Sequence, residues 1–453
     1  MNRQCWIRAL GFAVLLVALT HNTASAGMIA RCGDTGIFPD SDVTVYVLPY
    51  VDDTSPESSR VESPVGTELA GLIHADTLLA ISRFGHVAAI RLTGNPTDCE
   101  PNLVFDRLKR KFSSVRPEHA IVMLWGRIFR VENEIYVQSY ASFRRFDAHD
   151  PGEMIQFPFG DRVLAAQLAT QALTFAPRHV SVEDLKEIRD RFAIENIVHQ
   201  RPNEQSPGEP LLILLSREGV PAYYVIETQG NWIHIHTLTG QDGWILASAK
   251  LGQESLSRRL PEMRFVEGVV GYFGFRAHPT AARAELADSA LVGFEESPLS
   301  AAEPTPIAVS KQLRGMIQLL AGNQSDEAFM KSASLLAAAA EVLPSSSSAS
   351  NIATVVWVYG EWKLPSHKLN FQKSVNKFWV SISADPHDIT ALTNCWTLYT
   401  VAGNPAFRNR FTFDPQLSEQ QLNQRAQGLE SVQLGGSQVR LAHAVPVAAW
   451  PKP

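Results

Sequence analysis

The chain has 453 residues, 45% of them hydrophobic, with 40 basic and 46 acidic side chains and a formal net charge of −6. That apolar share suits a buried core, and the length suits about two to four domains. The mild acidic balance argues against nucleic acid as a partner, because phosphate binding draws on a basic surplus.

Met1 to Arg8 carries Arg3 and Arg8 and no acid, Ala9 to Leu19 is apolar, and Ala24-Ser25-Ala26 places small residues before Gly27. This order predicts a secretory signal cleaved near Ala26. The competing reading is a retained anchor, but the apolar run is about half a bilayer span. Arg31 before Cys32 argues against lipid attachment there. No later stretch predicts a transmembrane helix. Loss of residues 1–26 leaves 38 basic against 46 acidic side chains, a charge of −8. An oxidising compartment permits a disulfide. Cys32 and Cys99, each beside turn-forming residues, are predicted to pair, and Cys395 to be a buried free thiol. The alternative for the three, a metal site, lacks a CxxC pair.

Residues 27–176 predict a mixed α/β domain. Val43 to Tyr50 and His86 to Leu92 suit strands, Val65 to Ser82 and Leu103 to Phe112 suit amphipathic helices, and Ala120 to Phe129 with Glu134 to Phe143 suit a hairpin. Val163 to Phe175 is expected to be a helix. On the Val43–Tyr50 strand and the hairpin entered through Gly126, this order resembles the TolB amino-terminal-type α/β domain of bacterial envelope proteins. Residues 177–210 predict a connecting helix capped by Ser181, then a polar linker from Gln200 to Pro210.

Residues 211–256 predict short strands, with apolar Leu211 to Leu215, then Tyr223 to Glu227, Trp232 to Thr237 and Trp244 to Ala247 between Gly turns. Gly230-Asn231-Trp232-Ile233, Gly240-Gln241-Asp242-Gly243-Trp244-Ile245 and Leu251 resemble a bacterial SH3-like domain. The resemblance implies a small β-barrel with its Trp residues mainly in the core, and in some members binding of cell-wall peptides.

Residues 257–306 predict a linker region, with Glu285 to Pro306 rich in Ala, Ser, Glu and Pro, and Pro344 to Ser350 predicts a second break. Residues 307–427 predict a helical domain. Phe371, Ser374, Phe378, Ser381 and Pro386, then Leu392, Cys395, Tyr399 and Gly403, resemble a tetratricopeptide repeat, with Trp396 where a small residue is usual. Residues 428–453 predict a surface-draped or frayed tail. The expected fold class is therefore multi-domain α+β: a small mixed α/β domain, an SH3-like β-barrel, then a helical repeat-like domain. The resemblances imply a periplasmic address.

No GxSxG, HExxH, GxxxxGK[ST] or GxGxxG occurs. No catalytic residue, metal ligand set or cofactor is assigned. His234 and His236 are two apart on one strand, so both imidazoles could approach one ion, but no third ligand is identifiable and a solvated strand face is the plainer reading. Trp232 and Trp244 are expected in the barrel core first, and as a ligand platform second. With His234 and His236 they form the candidate ligand-contacting set. Asp52-Asp53 with Glu57 read as an acidic solvated loop first and a cation-holding loop second. Lys109-Arg110-Lys111 and Arg144 with Arg145 read as solvated charges first and anion patches second. Trp357, Trp362, Trp379 and Trp396 read as helical core first and as the lining of a peptide groove second. The expected function is a non-catalytic binding or scaffold protein of the envelope, engaging protein partners or peptidoglycan. The alternative is a metal-dependent hydrolase whose site is assembled across domains.

Overall fold

The computed structural model describes residues between 29 and 441, apart from 54–63, 182–196, 211–222, 247–259 and stretches of one to three residues elsewhere. They are mixed α and β, and divide into two units. The first comprises Met1–Ser113, Arg127–Ile135 and Val180–Leu256, and the second Ser114–Gly126, Tyr136–His179 and Ser257–Pro453. No described helix is long and apolar enough to cross a membrane.

In the first unit β1 (Ile29–Arg31), β2 (Val43–Asp52) and β3 (Val87–Thr93) pair in parallel, with β3 between the other two. Nearly every residue of β2 is buried, which is why its sequence runs apolar instead of alternating. α1 (Pro64–Ser82) buries Leu69, Leu72, Ile73 and Ile81. α2 (Pro101–Lys111) is capped by Glu100, which accepts from the Leu103 N–H at 2.9 Å. Cys32 and Cys99 stand at disulfide distance with Cα atoms 5.2 Å apart. Arg107 donates to the Cys32 carbonyl at 3.0 Å, tying α2 to this bridge.

β4 (Ala120–Val131) and β5 (Glu134–Arg145) form the expected hairpin, turning through Glu132 at φ 56°. Val163 to Phe175 was expected to be helical, but its described residues are mostly strand, and 169–171 lie outside the described residues. β6 (Glu153–Phe159) and β7 (Arg162–Leu168) pair as a hairpin, and β8 (Leu173–Thr174) and β9 (Arg178–His179) lie antiparallel to β5. Leu164, Ala165, Ala166 and Leu168 are all buried, so no polar face reveals the period of the run. Gly160 makes the turn at φ 63°, where a Cβ would also come within 2.7 Å of Val401.

The second sheet of the first unit is antiparallel. β10 (Ile197–His199), β11 (Gly208–Pro210), β12 (Tyr223–Gln229), β13 (Trp232–Thr237) and β14 (Asp242–Leu246) lie in the order β11-β10-β14-β13-β12. Among the described residues β11 and β12 do not pair, so the sheet is open where a barrel was expected. Two of its strands come from the stretch expected to be connecting helix and linker. Gln200 to Pro207 is a turn fixed by Gln200 N–H to the Pro207 carbonyl at 3.0 Å and Arg201 N–H to Ser206 Oγ at 3.0 Å. Leu211 to Leu215, and the centre of the expected helix, lie outside the described residues.

The expected linker 257–306 is mostly helix: α3 (Pro261–Ala277) and α4 (Ala281–Glu295), followed by a 3-10 turn. The Ala, Ser, Glu and Pro content of Glu285 to Pro306 suggests little burial. Ala is also the strongest helix former, and Ala284, Ala287, Leu291 and Phe294 make one buried stripe. A Cβ at Gly268 would lie 2.3 Å from Leu291, so α3 and α4 approach through that glycine. α5 (Pro304–Ala321), α6 (Asp326–Val342), α7 (Ser347–Lys363), α8 (Phe371–Ala384), α9 (Ile389–Gly403) and α10 (Glu419–Leu429) complete the second unit's helices among the described residues. Pro344 to Ser350 is no linker, because Ser346 caps α7 by accepting from the Ala349 N–H at 3.2 Å. Phe371, Val375, Phe378 and Ile382 are buried on α8, and Asp388 caps α9. From the expected tail, Ser431–Leu434 and Ser437–Arg440 form a hairpin, and residues after 441 lie outside the described ones.

The β6–β7 hairpin is held by side chains of α7 and α9. Asn394 Oδ1 accepts from the Ala165 N–H at 2.7 Å, and its Nδ2 donates to the Ala165 carbonyl at 2.6 Å and to Asn351 Oδ1 at 2.9 Å. Phe157 meets Tyr359, and Phe159 meets Trp362, at ring separations of 4.9 and 4.4 Å.

Candidate functional site

Along β13 the side chains alternate: Ile233 and Ile235 are buried, while Trp232, His234 and His236 are half-buried on the other face. Asp242 and Trp244 stand on that same face of β14. The register sets His234 opposite both Trp244 and Glu227, His236 opposite Asp242, and His199 opposite Trp244. His199, Trp244, His234 and Glu227 therefore make one row across four strands. The structure thus brings together all four candidate residues, but corrects the placement of Trp232 and Trp244. They belong to the outward face, not to the core.

The histidines share one carboxylate. His234 Nε2 lies 3.1 Å from Asp242 Oδ1, and His236 Nδ1 lies 3.1 Å from Asp242 Oδ2. His234 Nδ1 is 3.5 Å from Glu227 Oε1. The His234 ring stacks on Trp244, centroids 4.7 Å apart and planes 10° from parallel, and His199 meets Trp232 edge-on at 5.2 Å. Partial desolvation opposes ionisation of Asp242, yet the hydrogen bonds and charge of His234 and His236 outweigh it and lower its pKa. Among the described residues no group of three or more His, Cys, Asp or Glu is placed to hold a metal ion. The arrangement offers flat aromatic surface for stacking, with imidazole and carboxylate groups for hydrogen bonding.

Sequence reading missed Asp242, Glu227 and His199, because their place beside the histidines follows only from strand register. A carboxylate six residues beyond His236 in the sequence was the available signal. The other suspected charges lie elsewhere. Asp52 is buried at the end of β2 and not in a solvated loop, Asp53 N–H donates to the Ile128 carbonyl at 2.7 Å, and Glu57 lies outside the described residues. Arg144 is buried, against expectation, whereas Arg145 pairs with Asp147 at 3.0 Å. Arg110 and Lys111 are exposed in the last turn of α2, where cations suit the helix dipole. Trp396 is buried, Trp357 and Trp362 are half-buried, and Trp379 is exposed.

Three further titratable groups are buried away from this face. His74 on α1 has its pKa pulled down to about 4, first by burial and then by the charge of Arg91. Glu262 on α3 is pushed up to about 7 by burial, against the Ser139 hydroxyl that donates to it. The Cys395 thiol is pushed up to about 12 by burial. Near Glu262, Arg178 pairs with Glu303 at 2.6 Å, and Glu303 also accepts from the Ala176 N–H at 3.0 Å. Comparison of the chain with protein-family models, curated proteins and solved structures finds no match.

Proposed function

We propose that the chain is a secreted, non-catalytic binding or scaffold protein of the bacterial envelope, and that it takes a protein partner or peptidoglycan on the outward face of the β10–β14 sheet. The SH3-like reading of this sheet and the tetratricopeptide-like reading of α8 and α9 belong to the same proposal. One observation carries it: Trp232, Trp244, His234 and His236 gather on the outward face, joined by Asp242, and not in a core. Aromatic rings with polar edges are typical anchors of binding surfaces. The Cys32–Cys99 pair fits an oxidising compartment.

The test is co-sedimentation with purified sacculi and affinity capture from envelope extract, using the chain without residues 1–26. W232A/W244A is expected to abolish what the parent binds while its circular dichroism stays unchanged. Binding to neither target by the parent sinks the proposal. A stoichiometric metal ion lost on H234A favours the metal-dependent hydrolase instead.

A further inference from the structure

We propose that the groove along α8 in the second unit is a binding site for a phosphate group. It is an open groove of about 430 Å³ lined by Asn370, Gln372, Lys373, Asn376, Lys377 and Val380. None of these is acidic, on a chain whose net charge is −6.

Lys373 and Lys377 are one helical turn apart, and their ammonium groups lie 4.9 and 5.1 Å from the centre of the same Trp357 ring. Among the described residues neither lysine makes an ion pair. Like charges at this spacing repel each other, and one indole shared by two cations offsets only part of that. An anion seated between them removes the repulsion. The flanking carboxamides are set as donors. Asn370 Oδ1 is occupied by the Lys373 N–H at 2.8 Å, and Asn376 Oδ1 by Gln372 Nε2 at 2.8 Å. Each asparagine thereby keeps its NH2 group for a ligand.

The donor set selects among anions. The groove contains no arginine, whose planar fork matches a carboxylate through two parallel bonds. Ammonium groups and separate carboxamides instead approach from several directions, which suits the tetrahedral oxygens of phosphate. Val380, 58% exposed, lines the same groove and adds apolar surface beside the charge. The phosphate can belong to a lipid headgroup or to a soluble ester.

The experiment titrates the chain without residues 1–26 with inorganic phosphate by calorimetry, and separately measures co-sedimentation with phosphatidylglycerol vesicles against phosphatidylcholine vesicles. Binding to phosphate assigns a soluble ester, and binding to the anionic vesicles alone assigns a lipid headgroup. Either supports the site if K373Q/K377Q weakens it about tenfold. K109Q/R110Q/K111Q, on the first unit, is expected to leave binding unchanged. No binding to either probe overturns the proposal, as does binding by K373Q/K377Q equal to the parent's, or an equal loss in the control variant.

Discussion

The two units keep a buried titratable group uncharged in opposite senses. The first holds His74, a base, with its pKa drawn from 6.5 down to about 4 by burial and the charge of Arg91. The second holds Glu262, an acid, with its pKa raised by burial from 4.5 to about 7. Both prefer the neutral form, so their pH dependences oppose each other. The contribution of His74 is present above pH 6.5 and is lost as pH falls through 4. That of Glu262 is complete below pH 4.5 and is lost as pH rises through 7. Because 6.5 lies above 4.5, no pH grants both in full. The units differ again in their fastening. The first is closed by a bridge across 67 residues, while the second depends on buried amides such as Asn394.

Separating the fastenings gives the largest expected effect. C32S/C99S is expected to cost about 4 kcal/mol, the loop-entropy figure for a bridge of this span. Hydrogen exchange should place the loss in the first unit, and an equal loss of protection in α7 and α9 breaks the comparison. N394A is expected to cost about 3 kcal/mol, since it strips the buried Ala165 N–H of its partner and leaves the Ala165 carbonyl only the longer bond from Asn351 at 3.3 Å. Urea unfolding measures the cost, and faster exchange confined to the second unit, β6 and β7 first, sharpens the contrast.

The pH contrast itself is tested with two variants. E262Q cannot ionise, so at pH 8 it should exceed the parent in stability by on the order of 2 kcal/mol, with the alkaline decline flattened. H74L should flatten the acid decline between pH 6.5 and 4 and leave the alkaline one. If either variant keeps the parent's profile in thermal unfolding across pH, the assignment of that slope is wrong. D242N gives the smallest change in stability, under about 1 kcal/mol for so exposed a cluster, but it should weaken capture on the sheet face.

Much of the helical second unit was legible, because α8 and α9 carry their signals locally. Phe371, Val375, Phe378 and Ile382 recur at helical spacing, and Asp388 and Pro386 mark the boundary. The β6–β7 hairpin was not legible, because a run buried on both faces hides its period. α3 and α4 were obscured by their Ala and Gly content, and the close approach of Gly268 to Leu291 is a tertiary fact. On the sheet face the alternation around His234 was visible along one strand. Its partner Asp242 depended on the register of β13 against β14, and the outward placement of Trp232 and Trp244 depended on which face the open sheet buries.

Cys395 follows Asn394 on α9 and is wholly enclosed, with a thiol too weakly acidic to react in place. While α9 stays seated, an alkylating reagent has nothing to attack there. In a C5S chain with Cys32 and Cys99 bridged, every labelling event therefore records one departure of α9 from its neighbours. The protein carries its own clock for the opening of the second unit, readable by mass spectrometry in native buffer without an added probe.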